Sequence, residues 1–327
     1  ADTATVRRIE EFLRDSKLTV DVLAVKAPGR AVTMPLEWDA SEVEAGVPLT
    51  FDVVVRNAGV GHTFPGGTND SNEGWLEFTI EDEEGNLLVA SGEIGADGYL
   101  DPMAHTFKAV IVDEDGDAIH RRNAQDIHVT VYQNVIGPGS ADIAHFELVL
   151  PDAWVESRLT VRARLLWRKF DRAYTEFAFA GNPAGFASFD DVPDLPVTEI
   201  ASDSARVLVV GQTAVDGGPS FPRLPEQWVR YNDYGIGLLL EGDTRGAGIQ
   251  AVVRRNGAAV VTGRGDGIGQ LERHPEVRVE DEVGVVLRQR RLEVADGQVG
   301  AGQDSPGGVC PGQVGSVERG VGEVRRA

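Results

Sequence analysis

The sequence predicts a mainly β protein: an antiparallel, immunoglobulin-like β-sandwich with a short helix before it and the start of a helical repeat after it. Three observations support this fold class. Apolar and polar residues alternate in short runs from residue 18 onward. Turn residues separate these runs about every ten residues, which is typical of sandwiches. The first 17 residues and those after residue 226 lack the alternation.

The first predicted element is an N-terminal helix over residues 1–17. Its apolar residues Val6, Ile9 and Leu13 recur at helical spacing and therefore share one face. No apolar run in the sequence reaches 18 residues, so we expect no membrane span.

The sandwich is predicted over residues 18–180. In one strand Phe51, Val53 and Val55 face the same side, because successive side chains of a strand point to opposite faces. The final strand repeats this pattern with Leu159, Val161, Ala163, Leu165 and Trp167. Turns at 83–86 and at "DEDGD" (113–117) join strands into hairpins.

Two segments are predicted between the sandwich and the C-terminal tail. Residues 181–225 are rich in Gly, Pro, Ala and Asp and read as a linker that wraps the sandwich, with one strand at 205–211. Residues 226–247 match the first half of a tetratricopeptide repeat, a partial helical hairpin in which Gly235, Gly242 and Ala247 allow two helices to approach closely.

The tail, residues 248–327, contains no Phe, Trp, Tyr, Lys or Met. Two interpretations stay open. The tail is disordered, because it lacks the aromatic residues that form a core. Alternatively, it is the product of a frameshift in GC-rich DNA, whose shifted codons over-produce Gly, Val and Arg.

Composition excludes several functions. The chain has 52 acidic and 31 basic residues and a formal net charge of −21, so its surface repels phosphate backbones and we expect no nucleic-acid partner. Cys310 is the only cysteine, which excludes an internal disulfide and any C-x-x-C-H haem attachment within the chain. No catalytic motif stands out, and the sequence predicts a protein that is not an enzyme.

The most informative motif is "GVGHTFPGGTNDSNEGW", residues 59–75, which we name the elbow loop. One interpretation is an ordered connection whose glycines, asparagines and proline only shape the backbone. The other is a binding loop in which stiffness fixes His62 as a ligand. Asp70 and Glu73 are weak candidates for a calcium site, and Phe64, Pro65 and Asn69 are candidates for partner contact.

Four of the other histidines are predicted to have no binding role. His105 and His145 flank strands and are predicted to be satisfied sheet histidines, whereas His120 and His128 are predicted to be solvated. A metal-dependent enzyme built on these histidines is the weakest alternative, because spacing alone does not bring them together.

The run G-x-G-H-x-F-P-x-G of the elbow loop, together with "LLWRKFDRAYTEF" and "RYNDYGIGLLLEGD", is typical of a known family. Through these motifs, residues 15–247 resemble the β-sandwich region of bacterial multihaem c-type cytochromes, which in many members is followed by tetratricopeptide repeats. The first run is the most specific part of the resemblance. The resemblance implies a periplasmic or extracytoplasmic electron-transfer protein with haem c in the parent protein. This chain departs from the family because it has no C-x-x-C-H segment.

We therefore expect a non-catalytic structural and docking module, a fragment of such a cytochrome or a form that has lost the function. His62 is its candidate distal haem ligand, with Nδ1–H held by a carbonyl and Nε2 free. The expected partners are a haem-bearing segment or subunit and other proteins that bind the helical repeats. The alternative is a free-standing extracytoplasmic binding module that recognises a ligand or protein through the elbow loop.

Overall fold

The computed structural model describes residues 3–36, 41–179, 191–212, 227–242, 277–278 and 286–289. The chain divides into a first unit, Ala1–Leu292, and a second, Glu293–Ala327, which lies wholly outside the described residues. Most of the predicted tail, parts of the predicted linker and the second helix of the predicted hairpin also lie outside them.

The described chain is mainly β, as predicted. Its helices are α1 (Thr3–Arg14), α2 (Arg172–Phe179) and α3 (Trp228–Leu240). Its strands are β1 (Leu18–Lys26), β2 (Ser41–Glu44), β3 (Pro48–Asn57), β4 (Glu73–Glu81), β5 (Leu87–Ser91), β6 (His105–Val112), β7 (Val129–Asn134), β8 (Ala141–Val149), β9 (Arg158–Arg168), β10 (Thr198–Val210), β11 (Val277–Arg278) and β12 (Val286–Gln289). None of the described helices is long and apolar enough to cross a membrane.

The strands form two sheets. The first has the order β1-β3-β8-β12-β11, and the second has the order β2-β10-β9-β4-β6-β7, with β5 paired to β4. Neighbours pair antiparallel, with Phe51 opposite Phe146 in the first sheet and Phe78 opposite Ala163 in the second. The exception to the predicted antiparallel pattern is β2, which pairs parallel to β10.

The inner faces of the sheets meet in one apolar core. The rings of Phe78 and Phe146 stack with their centroids 4.2 Å apart, and Phe51 lies 5.9 Å from Phe78. Phe51, Val53 and Val55 are fully buried, as their alternation predicts. These contacts between β3, β8 and β4 establish the sandwich.

A third layer covers the outer face of the first sheet. There α3 places Tyr231, Tyr234 and Leu238 in an apolar cluster with residues of β1, β3 and β8. The outward-facing residues of β3, including Asp52 and Val54, are therefore buried as well as the inward-facing ones. The sequence pattern assigned a core role to only one face of this strand.

Two glycines explain how α3 is seated and how it ends. A Cβ on Gly237 would lie 2.5 Å from Cγ1 of Ile143, so only glycine lets the helix axis come this close to β8. Gly242 follows the helix with φ +87°, and its N–H donates to the carbonyl of Leu239, which is a glycine C-cap. The contact between two helices that is predicted for Gly242 involves residues after 242 and lies outside the described residues.

The other two helices differ from expectation. No residue of α1 is buried, and Val6 and Ile9 are 45% and 54% exposed, although they share a face as predicted. The helix is tied to the sheet through Arg14, whose Nε donates to the carbonyl of Glu199 at 3.0 Å. Helix α2, directly after β9, was not predicted.

The sandwich extends beyond the predicted boundary at residue 180. The linker segment contributes β10, which has 13 residues and not the seven expected at 205–211. This strand lies between β9 and β2 and buries Ile200, Ala205, Val207 and Val209 in the core. The polar run Ser202–Asp203–Ser204 interrupts the alternation of apolar residues, so periodicity predicts only the second half of the strand.

We predict that Gly237→Ala destabilises the protein even though alanine is the better helix former. The favourable change in helix propensity is about 1 kcal/mol, and overpacking against the buried Ile143 should cost about 1 to 3 kcal/mol. Urea unfolding of both proteins measures the difference. Shortening the neighbour in Gly237→Ala/Ile143→Val should recover part of the loss, and a Gly237→Ala protein more stable than the parent would contradict the close approach.

Candidate functional site

Asn57, at the end of β3, holds the start of the elbow loop. Its buried side chain donates from Nδ2 to the carbonyls of His62 and Ile136 at 3.0 and 3.1 Å. Its Oδ1 accepts the N–H of Val60 at 3.0 Å. One buried amide therefore fixes both sides of the turn that carries His62.

Phe64 and Pro65 anchor the middle of the loop. The backbone of Phe64 exchanges two hydrogen bonds with Ile136, at 2.8 and 2.9 Å, and its ring lies 6.1 Å from that of Phe107. Both residues are buried, and they pack over Gly74, where a Cβ would lie 3.4 Å from Pro65 Cγ. The prediction that they contact a partner is corrected, because their side chains face the sandwich.

His62 lies at the exposed tip of the loop. Its Nδ1 is 2.7 Å from the carbonyl oxygen of Thr63, and since a carbonyl only accepts, Nδ1 carries the proton. Within the described chain, Nε2 has no hydrogen-bond partner. The ring rests on Gly66, where a Cβ would lie 2.7 Å from Cε1. This is the ring geometry expected for a histidine that binds through Nε2.

The residues proposed for calcium are not assembled into a site. Glu73 is buried and pairs with Arg168, whose Nε lies 2.5 Å from Oε2. Burial raises the pKa of Glu73, and the charge of Arg168 only partly offsets it. In the described ranges no group of three or more His, Cys, Asp or Glu residues is placed to hold a metal ion. Asp70 and Glu73 therefore belong to no such group there.

Asn69, the third candidate for partner contact, is half-buried. Its carbonyl accepts the N–H of Ala109 at 3.1 Å, which ties the loop to β6. Its side-chain Oδ1 is buried and has no partner among the described residues. The side chain does not project from the loop as a contact residue would.

The other described histidines are placed as follows. Nε2 of His105 is 2.6 Å from the carboxylate of Asp142, and Nδ1 of His120 is 2.9 Å from the carbonyl of Ala118. His128 is exposed. His145 belongs to a network that sequence reasoning missed.

That network surrounds Asp52, which we name the buried carboxylate. Asp52 is fully buried on the outer face of β3. Its carboxylate accepts hydrogen bonds from Nζ of Lys26, from the hydroxyl of Tyr234 and from Nδ1 of His145, the last at 2.7 Å. Nε2 of His145 in turn lies 3.2 Å from the carboxylate of Glu241, just past α3.

Two further ion pairs fasten the same helix. Arg230 contacts both carboxylate oxygens of Asp21 at 2.7 and 2.8 Å, a bidentate pair. Arg56 lies 2.9 Å from Asp233. Helix α3 is therefore joined by charged side chains to β1, β3 and β8, the three strands beneath it.

The pKa values reflect this geometry. For Asp52, burial favours the neutral acid, but His145 and Lys26 outweigh it and lower the pKa of the carboxyl group. For His145, burial disfavours the charged ring, but hydrogen bonds to Asp52 and Glu241 and their negative charge raise the pKa to about 9. Both groups are therefore charged at neutral pH.

Comparison with known proteins identifies no family. No family model matches the chain, and no curated protein matches it. One similar solved structure is a penta-haem cytochrome c552 from Thermochromatium tepidum, with 18% identity and a TM-score of 0.36 over 60% of this chain and 41% of that chain. Another is the CARDB domain of PF1109 from Pyrococcus furiosus, with 12% identity and a TM-score of 0.21 over 59% of this chain and 94% of that chain. Both scores are low, and neither match assigns a function.

We predict that stability falls between pH 6.5 and pH 9 because of His145. Its folded-state pKa of about 9 exceeds the ordinary value of 6.5, so its contribution is complete below pH 6.5 and is lost as pH rises through 9. The expected loss is about 3 kcal/mol, measured by urea unfolding across this range.

The matched variants are His145→Gln, which should remove most of this pH dependence, and His120→Gln, which should retain it. An unchanged pH dependence in His145→Gln would show that the folded protein does not hold the extra proton on this ring.

Proposed function

We propose that this chain is a non-catalytic structural and docking module of an exported multihaem electron-transfer protein, in which His62 supplies a distal ligand to haem c. The sequence resemblance of the elbow loop motivates the proposal. The observation that carries it is the state of His62: an exposed ring with a fixed tautomer, whose Nε2 has no hydrogen-bond partner among the described residues.

The donor set fits one axial position of a haem. His62 offers a single imidazole nitrogen, and an imidazole whose other nitrogen donates to a carbonyl is the usual form of a histidine ligand. Three features of the loop restrict this ring: the amide of Asn57, the bridge between Phe64 and Ile136, and the cradle at Gly66. With Cys310 as its only cysteine, the chain itself attaches no haem through two thioethers, so the haem belongs to a partner segment or subunit.

The docking part of the proposal rests on α3. An isolated helix of 13 residues is marginal in water, but here it is fixed by an apolar contact and three sets of charged contacts. A helix held this firmly is a suitable base on which further helical repeats stack, and such repeats bind other proteins. The proposed location is periplasmic or extracytoplasmic, as for the cytochromes that the sequence resembles.

A ligand-binding experiment tests the role of His62. The probe is a ferric haem c peptide that retains one axial histidine and leaves the sixth position open. We predict that the full chain converts the probe from high spin to low spin, followed by the Soret band and by electron paramagnetic resonance. His62→Ala should abolish the conversion, because it removes the nitrogen that binds iron.

The matched control is His120→Ala. His120 also holds Nδ1 against a backbone carbonyl, so it reports binding by an ordinary surface histidine. Equal losses in the two variants, or conversion that survives in His62→Ala, would overturn the ligand role and favour a binding module of another kind.

We also predict that Gly66→Ala weakens probe binding by roughly two- to tenfold. The added methyl group displaces the His62 ring, and fixing the displaced ring again on binding costs conformational entropy. The free energy of unfolding should change little, since the ring is exposed. Binding at parental affinity would show that the cradle does not position the ring.

A further inference from the structure

One surface of this acidic protein is rich in cations and aromatic rings. We name it the cationic–aromatic patch. Its members are Lys108, His120, Arg121, Arg122, Lys169, Phe170, Tyr174 and Phe177. They come from β6, from the connection that follows it, and from the end of β9 into α2.

Cations lie over two rings of α2 and over the ring of Phe170, which precedes the helix by two residues. The guanidinium of Arg121 lies 5.1 Å from the ring centre of Phe177. That of Arg122 lies 5.7 and 5.8 Å from the rings of Phe170 and Tyr174, and Nζ of Lys169 lies 5.5 Å from Phe170. These contacts hold long cationic side chains in place without neutralising them.

The long cationic side chains of the patch form no direct ion pairs with carboxylates. In the described chain, Lys108, Arg121, Arg122 and Lys169 form no ion pair, whereas several cations elsewhere do, such as Arg30 with Glu44 and Arg164 with Glu77. Four cations without an ion pair in one place are unexpected on a chain with a net charge of −21. The patch is thus a local region of positive potential.

The nearby carboxylates are hydrogen-bonded to other groups, although Asp171 also interacts electrostatically with Lys108 and His120. Asp171 is half-buried, accepts the N–H of Tyr174 at 2.7 Å, and has a pKa raised by burial. Asp126 accepts from the side-chain amides of Asn123 and Gln125. Glu176, on α2, is bonded to Arg172 and Tyr99.

The patch adjoins the elbow loop. The N–H of Asp171 donates to the carbonyl of Ser71 at 2.9 Å, and Ala109, next to Lys108, donates to the carbonyl of Asn69. The second half of the elbow loop is therefore joined directly to the backbone that carries the patch.

We infer that the cationic–aromatic patch is a docking site for an acidic, carboxylate-rich segment of a partner protein. Guanidinium groups bind carboxylates with directed, charge-assisted hydrogen bonds. Stacking on the rings lowers the entropy lost when the side chains are fixed in a complex. The strongly negative remainder of the chain disfavours a long polyanion such as nucleic acid, but a short acidic segment needs only the patch. This inference does not depend on the haem role of His62.

The test uses the full chain and a fluorescent octaglutamate peptide at low ionic strength, with binding followed by anisotropy. Arg121→Gln/Arg122→Gln should weaken binding roughly tenfold, the effect of two charge-assisted contacts. Added salt should weaken binding to the parent. His62→Ala should leave the affinity unchanged, which separates this inference from the haem proposal.

The matched control is Arg158→Gln/Arg162→Gln. It makes the same change of charge at two exposed arginines of β9 that form no ion pair among the described residues. Circular dichroism confirms that both double variants are folded. No binding to the parent, or equal weakening by the two double variants, would overturn the inference. So would tighter binding of a single-stranded oligonucleotide of equal charge, because the patch would then serve nucleic acid.

Discussion

The packing of α3 on the outer face of the first sheet depends on the carboxylate of Asp52. A carboxylate on the outer face of a sheet would normally be solvated, and its removal from water costs several kcal/mol. Here α3 covers it, and Lys26, His145 and Tyr234 supply the hydrogen bonds that water would have made. The helix and the charge require each other: without α3 the carboxylate is exposed, and without its partners the helix would bury an uncompensated charge.

This dependence explains why α3 adopts one position and one rotation on the sheet. Apolar contact alone allows a helix to slide or rotate on a sheet, because dispersion and the hydrophobic effect are not directional. The pairs Arg230–Asp21 and Arg56–Asp233 fix its position at two further points. The close approach at Gly237 fixes its height above β8. Together these contacts convert a short helix into a rigid extension of the sandwich.

The sequence predicted the fold class because the sandwich is built from local alternation. Phe51, Val53 and Val55 face the core as expected. The outer-face layer was missed because its contacts join residues far apart in sequence, such as Asp52 and Tyr234. The aspartate within the apolar run "FDVVV" was a usable signal, because a buried carboxylate needs a hydrogen-bonding partner. The periodicity of the sequence does not identify that partner.

In the elbow loop, too, some features follow from the local sequence and others depend on distant residues. Its stiffness and the exposure of His62 follow from its composition, and the proton position at Nδ1 is the one that a ligand role requires. The partner contact predicted for Phe64 and Pro65 was wrong. These apolar loop residues were expected at the surface, but they pack against Phe107 and Gly74. Whether a loop residue faces in or out depends on strands that lie elsewhere in the chain.

The position of β10 has a consequence for biosynthesis. β2 pairs with Val207–Val210. During translation, residues 41–44 therefore have no sheet partner until residues 207–210 have been synthesised. Until then β9 presents an open edge on which a strand from another nascent chain can add. When many ribosomes translate one message, a neighbouring copy's β10 is the competitor that fits this edge best. Exchange of that strand between copies is therefore the misassembly to which this topology is most exposed.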